Sequence, residues 1–184
     1  MFSIINALIQ KLKHFNETEE DKQNQLIRYI REHGGFVGEN VNIYDSNIDI
    51  AEPYLLEIGD NTTITGARIM THDASPKKRT GYSKIAKVSI GKNCFIGWGS
   101  IILCDTKIGD NCIVGAGCVV AKDVPDNCVI VGNPMKILCK TDEFISKIET
   151  EIKNSIVIDK YPPEIVVDKQ LVTKLKEVEK GFTL

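Results

Sequence analysis

Ile90-Gly-Lys-Asn-Cys-Phe, Ile96-Gly-Trp-Gly-Ser-Ile, Ile102-Leu-Cys-Asp-Thr-Lys, Ile108-Gly-Asp-Asn-Cys-Ile, Val114-Gly-Ala-Gly-Cys-Val and then Val120 set the pattern of the chain. An aliphatic β-branched residue returns every six positions. Neither an α-helix nor a flat amphipathic strand has that period. A six-residue repeat belongs to a parallel β-helix, in which each hexad is one short strand and one turn. Three hexads close a triangular coil, so residues about 18 apart stack one strand spacing (~4.8 Å) along the axis. The spacing predicts Ile90 against Ile108, Ile96 against Val114 and Ile102 against Val120, all pointing inward. A second inward phase holds Cys94, Ser100, Thr106, Cys112, Cys118 and Val124. Gly follows four of the first five aliphatics, at positions 91, 97, 109 and 115, where tight or positive-φ backbone is expected.

Working outward, residues 36–138 form the expected β-helix, preceded by a helical segment over 1–35 and followed by a helical tail over 139–184. Ser3 can cap a first helix with Ile4, Ile5, Leu8, Ile9 and Leu12 on one stripe. Packing on the β-helix or on a neighbouring subunit suits this stripe better than a membrane surface, because it carries few basic residues. Thr18, followed by Glu19, Glu20 and Asp21, starts a second helix that packs through Leu26, Ile27 and Ile30 and ends at Gly34-Gly35. In the tail, Thr141 can cap a helix bearing Phe144, Ile145, Ile148 and Ile152. Lys160-Tyr-Pro-Pro reads as a hinge, and Leu171, Leu175 and Val178 as a last amphipathic helix.

The repeat fails twice. Around Glu52-Pro53-Tyr54 the phase is lost before Ile58-Gly-Asp-Asn restores it. Between Ile69 and Val88 it vanishes in a polar insertion, residues 70–87, carrying Lys77, Lys78, Arg79, Lys84 and Lys87. A loop interrupting a regular solenoid points to binding or catalysis. His72 stands at its root and is the repeat domain's single histidine.

The composition excludes several classes. A formal net charge of −2 supplies no basic field for nucleic acid. No apolar run is long enough to cross a membrane, and Met1–Phe15 lacks the pattern of a secretion signal, so a cytoplasmic location is expected. Six cysteines show neither CxxC pairing nor metal-ligand spacing; Cys94, Cys112 and Cys118 occupy the small inward phase, and free thiols are expected.

Residues 58–138 resemble the hexapeptide-repeat acyltransferases, in particular their sugar O-acetyltransferase branch. The resemblance is carried by Ile90-Gly-Lys-Asn-Cys-Phe-Ile-Gly, Ile108-Gly-Asp-Asn-Cys-Ile-Val-Gly-Ala-Gly-Cys, Lys122-Asp-Val-Pro and Gly132-Asn-Pro-Met-Lys. It implies a mainly β protein built on a left-handed parallel β-helix, a homotrimer with sites between adjacent prisms, acetyl-CoA as acyl donor and no metal. His72 matches the family's catalytic histidine, and the Trp98 backbone N–H, after Ile96-Gly97, its oxyanion donor. Gly97, Ala116, Gly117, Ala121, Lys122 and Lys136 match the CoA track. Phe95 stands where a Trp is common, Ala121 where a Thr is common, and Cys118 where a Ser is frequent.

An alcohol must lose its proton as it attacks a thioester, which suits a neutral imidazole, and the developing oxyanion needs a preorganised donor. Asp73, Glu57 or a backbone carbonyl could orient His72. Tyr44, Asp45, Arg79 and Phe95 are candidates for the acceptor side. The resulting expectation is acetyl transfer to a saccharide hydroxyl. Alternatives are N-acetylation of an amino sugar nucleotide, or acetylation of an antibiotic or of serine. A γ-type carbonic anhydrase would need three histidines about a metal, but His14 and His33 lie outside the repeats. A scaffold without catalysis leaves His72 and its loop unexplained.

Overall fold

A computed structural model describes residues 18–159, 168–178 and 180–183. The expected first helix and the Lys160-Tyr-Pro-Pro hinge lie outside the described residues. The chain divides into two compact units, one up to Thr141 and the other from Asp142 onward.

The first unit is a parallel β-helix with three faces. One stacks Phe36–Val37, Leu56–Ile58, Val88–Ile90 and Thr106–Ile108. The second stacks Asn42–Tyr44, Thr63–Thr65, Phe95–Ile96, Ile113–Val114 and Cys128–Val131, closed by the antiparallel strand Lys136–Lys140. The third stacks Asn47–Ile48, Arg68–Ile69, Ile101–Ile102 and Val119–Val120. Ile90 pairs with Ile108, Ile96 with Val114 and Ile102 with Val120, as the spacing predicts. The early, degenerate coils continue the same columns: Val37–Ile58–Ile90, Ile43–Ile64–Ile96 and Ile48–Ile69–Ile102. From Ile58 to Val120 these aliphatics are at most 2% exposed, so one side chain per face per coil fills the core.

The second inward phase does more than fill corners. Thr62, Cys94, Cys112 and Cys128 form one column, and three of them donate to the next coil: Thr62 Oγ1 to Gly91 O at 2.8 Å, Cys94 Sγ to Gly109 O and Cys112 Sγ to Pro125 O, both at 3.1 Å. Hydrogen bonding with Cys112 and burial push the Cys94 thiol up, which keeps it protonated for that role. All six cysteines are free.

The glycines after the aliphatics answer a different need from the expected one. Gly91 and Gly109 are not in the positive-φ region; instead a Cβ at Gly91 would fall 2.4 Å from Asp110 Oδ1, and one at Gly109 2.1 Å from Asp126 Oδ1. Those aspartates lie over the glycines because their carboxylates accept backbone amides of the neighbouring coil, Lys92 N at 2.8 Å and Asp110 N at 2.9 Å. The left-handed backbone falls on the asparagine two residues later. Asn40, Asn61, Asn93, Asn111 and Asn127 have φ between 53° and 57°, a conformation Asn tolerates. Side-chain amides link the first four in a ladder with spacings of 3.2, 3.2 and 3.0 Å.

The helix Glu19–Glu32 begins at Thr18 with a capping box to Asp21 and packs Ile27 and Ile30 into the core. Gln23 Oε1 accepts Ile43 N, and Arg31 donates to Val37 O and Gly38 O, so the helix satisfies groups on the first coil's open side. The second unit contains most of the helix Thr141–Lys153, the helix Lys169–Leu175, and a parallel pair of strands, Ile156–Ile158 with Gly181–Thr183, that the helical reading of the tail omits. Thr141 is the first helical residue rather than the cap. Among the described residues no helix is long and apolar enough to cross a membrane.

The two kinds of glycine separate by substitution. Gly109→Ala must displace Asp126 backbone and is expected to cost about 1–3 kcal/mol. Gly117→Asn keeps a permissive residue at φ +68° with open space around it and is expected to cost less than about 1 kcal/mol. Thermal unfolding of the two variants beside the parent checks both.

Candidate active site

On the third face, side chains alternate out and in from Arg68 to His72: Arg68 is exposed, Met70 and His72 are half-buried, while Ile69 and Thr71 are sealed inside. His72 and Asp73 then pair antiparallel with Lys84–Ile85, so the insertion is a hairpin rooted at the histidine. Its tip holds the short helical turn Lys77–Thr80, closed by Gly81 at φ +84°.

His72 Nδ1 lies 2.5 Å from Asp49 Oδ2 and 3.4 Å from Glu52 Oε2. Nδ1 is itself buried and is not aligned for a regular hydrogen bond, so the contact is a close electrostatic one. Neither Asp73 nor Glu57 serves it. Asp73 folds back onto Ser75, accepting from its N–H at 2.8 Å and its hydroxyl at 3.0 Å. Glu57 is tied to Lys87 at 2.5 Å. No backbone carbonyl accepts from His72 among the described residues.

Asp49 and Glu52 are positioned locally. Asp49 Oδ1 accepts Ala51 N at 3.1 Å in an Asx turn, and Asp49 N donates to Ile69 O. Glu52 Oε2 accepts the Thr71 hydroxyl at 3.0 Å, just before the histidine. Burial raises the Asp49 carboxyl, but the Ala51 amide, the electrostatic interaction with His72 and hydrogen bonds from Thr71 outweigh it, and the net shift is downward. Asp49 is therefore an anion beside the imidazole. The site opens into a cleft of about 280 Å³ lined by Asn47, Asp49, Arg68, Met70 and His72.

The sequence alone did not single out Asp49 or Glu52, although a signal existed. Ile48 pairs with Ile69, so the break after Ile48 and the insertion after Ile69 leave the same corner on consecutive coils. Two failures of the repeat at one corner necessarily meet.

The remaining candidates sort onto separate edges. Gly66 N donates to Tyr44 O, Gly99 N to Gly66 O and Gly117 N to Trp98 O, which stacks Tyr44, Trp98 and Gly117 along the corner between the second and third faces. Asp45 sits there with φ 45°, in a hollow against Glu19, Lys22 and Gln23 rather than in the His72 cleft. Phe95 is 44% exposed on the adjoining strand, and Gly97 and Ala116 flank it in the turns that follow. His72, by contrast, follows the third face, as do Ala121 and Lys122; Arg79 is on the hairpin and Lys136 on the antiparallel strand. Within one chain, His72 and Trp98 thus occupy opposite edges of the third face.

Trp98 takes the second position of a turn in which Ser100 N donates to Gly97 O and Gly99 has φ +70°. Gly97 and Gly99 donate to Val114 O and Gly66 O, whereas no described acceptor takes the Trp98 N–H. Trp98 is 72% exposed, and its indole lies against Gly66, where a Cβ would come within 2.1 Å of its Cδ1.

Residues 87–122 match the family model described as the hexapeptide repeat of succinyl-transferase. The chain is 44% identical to protein CapG of Staphylococcus aureus over 134 residues, covering 69% of this chain and 78% of that protein. It is 30% identical to the galactoside O-acetyltransferase of Lactococcus lactis, covering 74% and 76% respectively. The chain belongs to the hexapeptide-repeat acetyltransferases. Its branch is that of the sugar O-acetyltransferases. Among solved structures, a maltose O-acetyltransferase from Clostridium difficile superposes with a TM-score of 0.53 at 29% identity, covering 70% of this chain and 81% of that one. The coil is accordingly the left-handed parallel β-helix of this family, against the usual right-handed crossover preference.

The electrostatic interaction with His72 is one of the causes holding Asp49 down. In a His72→Ala variant the Asp49 carboxyl is expected to titrate at higher pH than in the parent, measured by carboxyl carbon NMR. An unchanged midpoint would show that the two side chains do not interact in solution.

Proposed function

We propose that this acetyltransferase uses acetyl-CoA to acetylate a hydroxyl of a saccharide, with His72 as general base. The observation that carries the reading is the His72 imidazole lining a cleft with Nδ1 against the anionic Asp49. A proton on Nδ1, assigned from that neighbour, leaves Nε2 free to accept the proton of an attacking hydroxyl. As the hydroxyl oxygen bonds to the thioester carbonyl carbon, Nε2 takes its proton and Asp49, with Glu52 behind it, stabilises the imidazolium. The tetrahedral oxyanion accepts from the Trp98 N–H, which has no acceptor among the described residues. Collapse breaks the C–S bond, and the departing CoA sulfur takes the proton from Nε2.

Because His72 and Trp98 stand on opposite edges of one face, the reading places each site between two copies of the chain in a homotrimer. Exposed Ala116, Gly117, Ala121, Lys122 and Lys136 suit a CoA track on the later coils, with the lysines as point charges for its phosphates. Gly97, which a Cβ would bring within 2.6 Å of Val114 O, keeps the turn before Trp98 flat. Six free thiols fit the reducing cytoplasm. Amino sugar nucleotides, antibiotics and serine are the alternative acceptors.

His72→Ala is expected to lower kcat for acetyl transfer by about 10²–10⁴-fold while CoA binding and the trimer persist. Asp49→Asn is expected to lower kcat by more than about tenfold. The assay is CoA release from acetyl-CoA with a panel of saccharides, beside sedimentation for the trimer. Near-parent turnover by His72→Ala would remove the histidine from the chemistry.

A further inference from the structure

The His72 cleft contains one cation that neither the fold nor the transfer step accounts for. Arg68 points outward from the third face, between Asn47 on one neighbouring strand and Ile101 on the other. It is exposed and has no ion pair or hydrogen-bond acceptor for its guanidinium among the described residues. Several other surface cations of this unit are engaged by protein groups, Arg31 on Val37 O and Gly38 O, Lys84 on Asp105, Lys87 on Glu57 and Lys92 on Asp60, but none of these lines the His72 cleft. Arg68 and His72 are four residues apart, on either side of the bend at Thr71, at most ~13 Å along the chain. Both line the same cleft.

We propose that Arg68 sets the acceptor class of this cleft, which takes a saccharide bearing an acidic substituent, a carboxylate or a phosphate, near the hydroxyl presented to His72. The inference rests on the reading of the cleft as the acceptor site. A planar guanidinium offers two parallel N–H donors to either oxyanion group, a geometry that a neutral hydroxyl cannot use. Within one chain, Arg68 stands apart from the lysine assigned to the CoA phosphates. Laterally, Arg68 pairs with Ile101 and Ile101 with Val119, so the strand that leads to Lys122 is two spacings away, ~10 Å along the axis. The hairpin rooted at His72 adds Lys77, Lys78 and Arg79, which are exposed and unpaired among the described residues, to the field at the approach.

The experiment compares matched acceptors: glucose, glucuronate and glucose 1-phosphate, and the corresponding galactose series, in CoA release and in calorimetric binding to His72→Ala. The parent is expected to favour at least one acidic member over its neutral partner by tenfold or more in kcat/KM. Arg68→Gln is expected to bring that ratio within about twofold, Arg68→Lys to retain part of it, and Arg68→Glu to invert it, while KM for acetyl-CoA stays within about twofold. Carboxylate and phosphate arms tell the two sources of charge apart. Equal use of neutral and acidic sugars by the parent, or a raised KM for acetyl-CoA in Arg68→Gln, overturns the proposal. Arg68-dependent binding of an acidic sugar without turnover would uphold Arg68 and overturn the transfer reading instead.

Discussion

Coil-on-coil registry is the constraint on which everything else rests. Each turn of the solenoid contributes one aliphatic per face, and the column Ile58–Ile90–Ile108 persists only if every coil keeps the same pitch. That pitch is set by short contacts at the corners as well as by the core. Aspartates reach one coil along to take an amide, and glycine lets them approach. Buried thiols and hydroxyls donate across the same interval, and the asparagine ladder repeats it outside. Apolar burial is non-directional, whereas these bonds admit one spacing. The result is a rigid wall of the kind that preorganised catalysis requires.

The chemistry proposed for His72 uses that rigidity where the solenoid departs from it. Two consecutive coils release an insertion there, one bringing Asp49 and Glu52 and the next bringing His72. Thr71, fully buried one residue before the histidine, bonds Glu52 and so couples the two insertions through the core. The imidazole belongs to one coil and the carboxylates beside it to the coil before, so their meeting depends on the registry of the two.

How much of this could be seen in the sequence depends on the range of the interaction. The columns are periodic, so Ile90, Ile96 and Ile102 declare their partners by counting. The helix start at Thr18 is local chemistry, legible from Thr18 and Asp21 alone. The reason for Gly91 and Gly109 was not, because it lies in an aspartate on the next coil rather than in the glycine's own backbone. Asp49 and Glu52 are some twenty residues from His72 in sequence, and their meeting follows only from superposing two breaks in phase. The parallel pair Ile156–Ile158 with Gly181–Thr183 is non-local and too short to leave a pattern.

Trp98 has a consequence of another kind. It is the chain's single tryptophan, it is mostly exposed, and it rests on Gly66 at the corner where the Trp98 amide has no acceptor among the described residues. Indole emission depends on local polarity, so the colour and quenching of the whole protein's tryptophan fluorescence come from this one corner. Anything that desolvates it, whether a thioester arm or a second copy of the chain, is visible without a label. The fold has placed an optical gauge beside the amide we propose as the oxyanion donor.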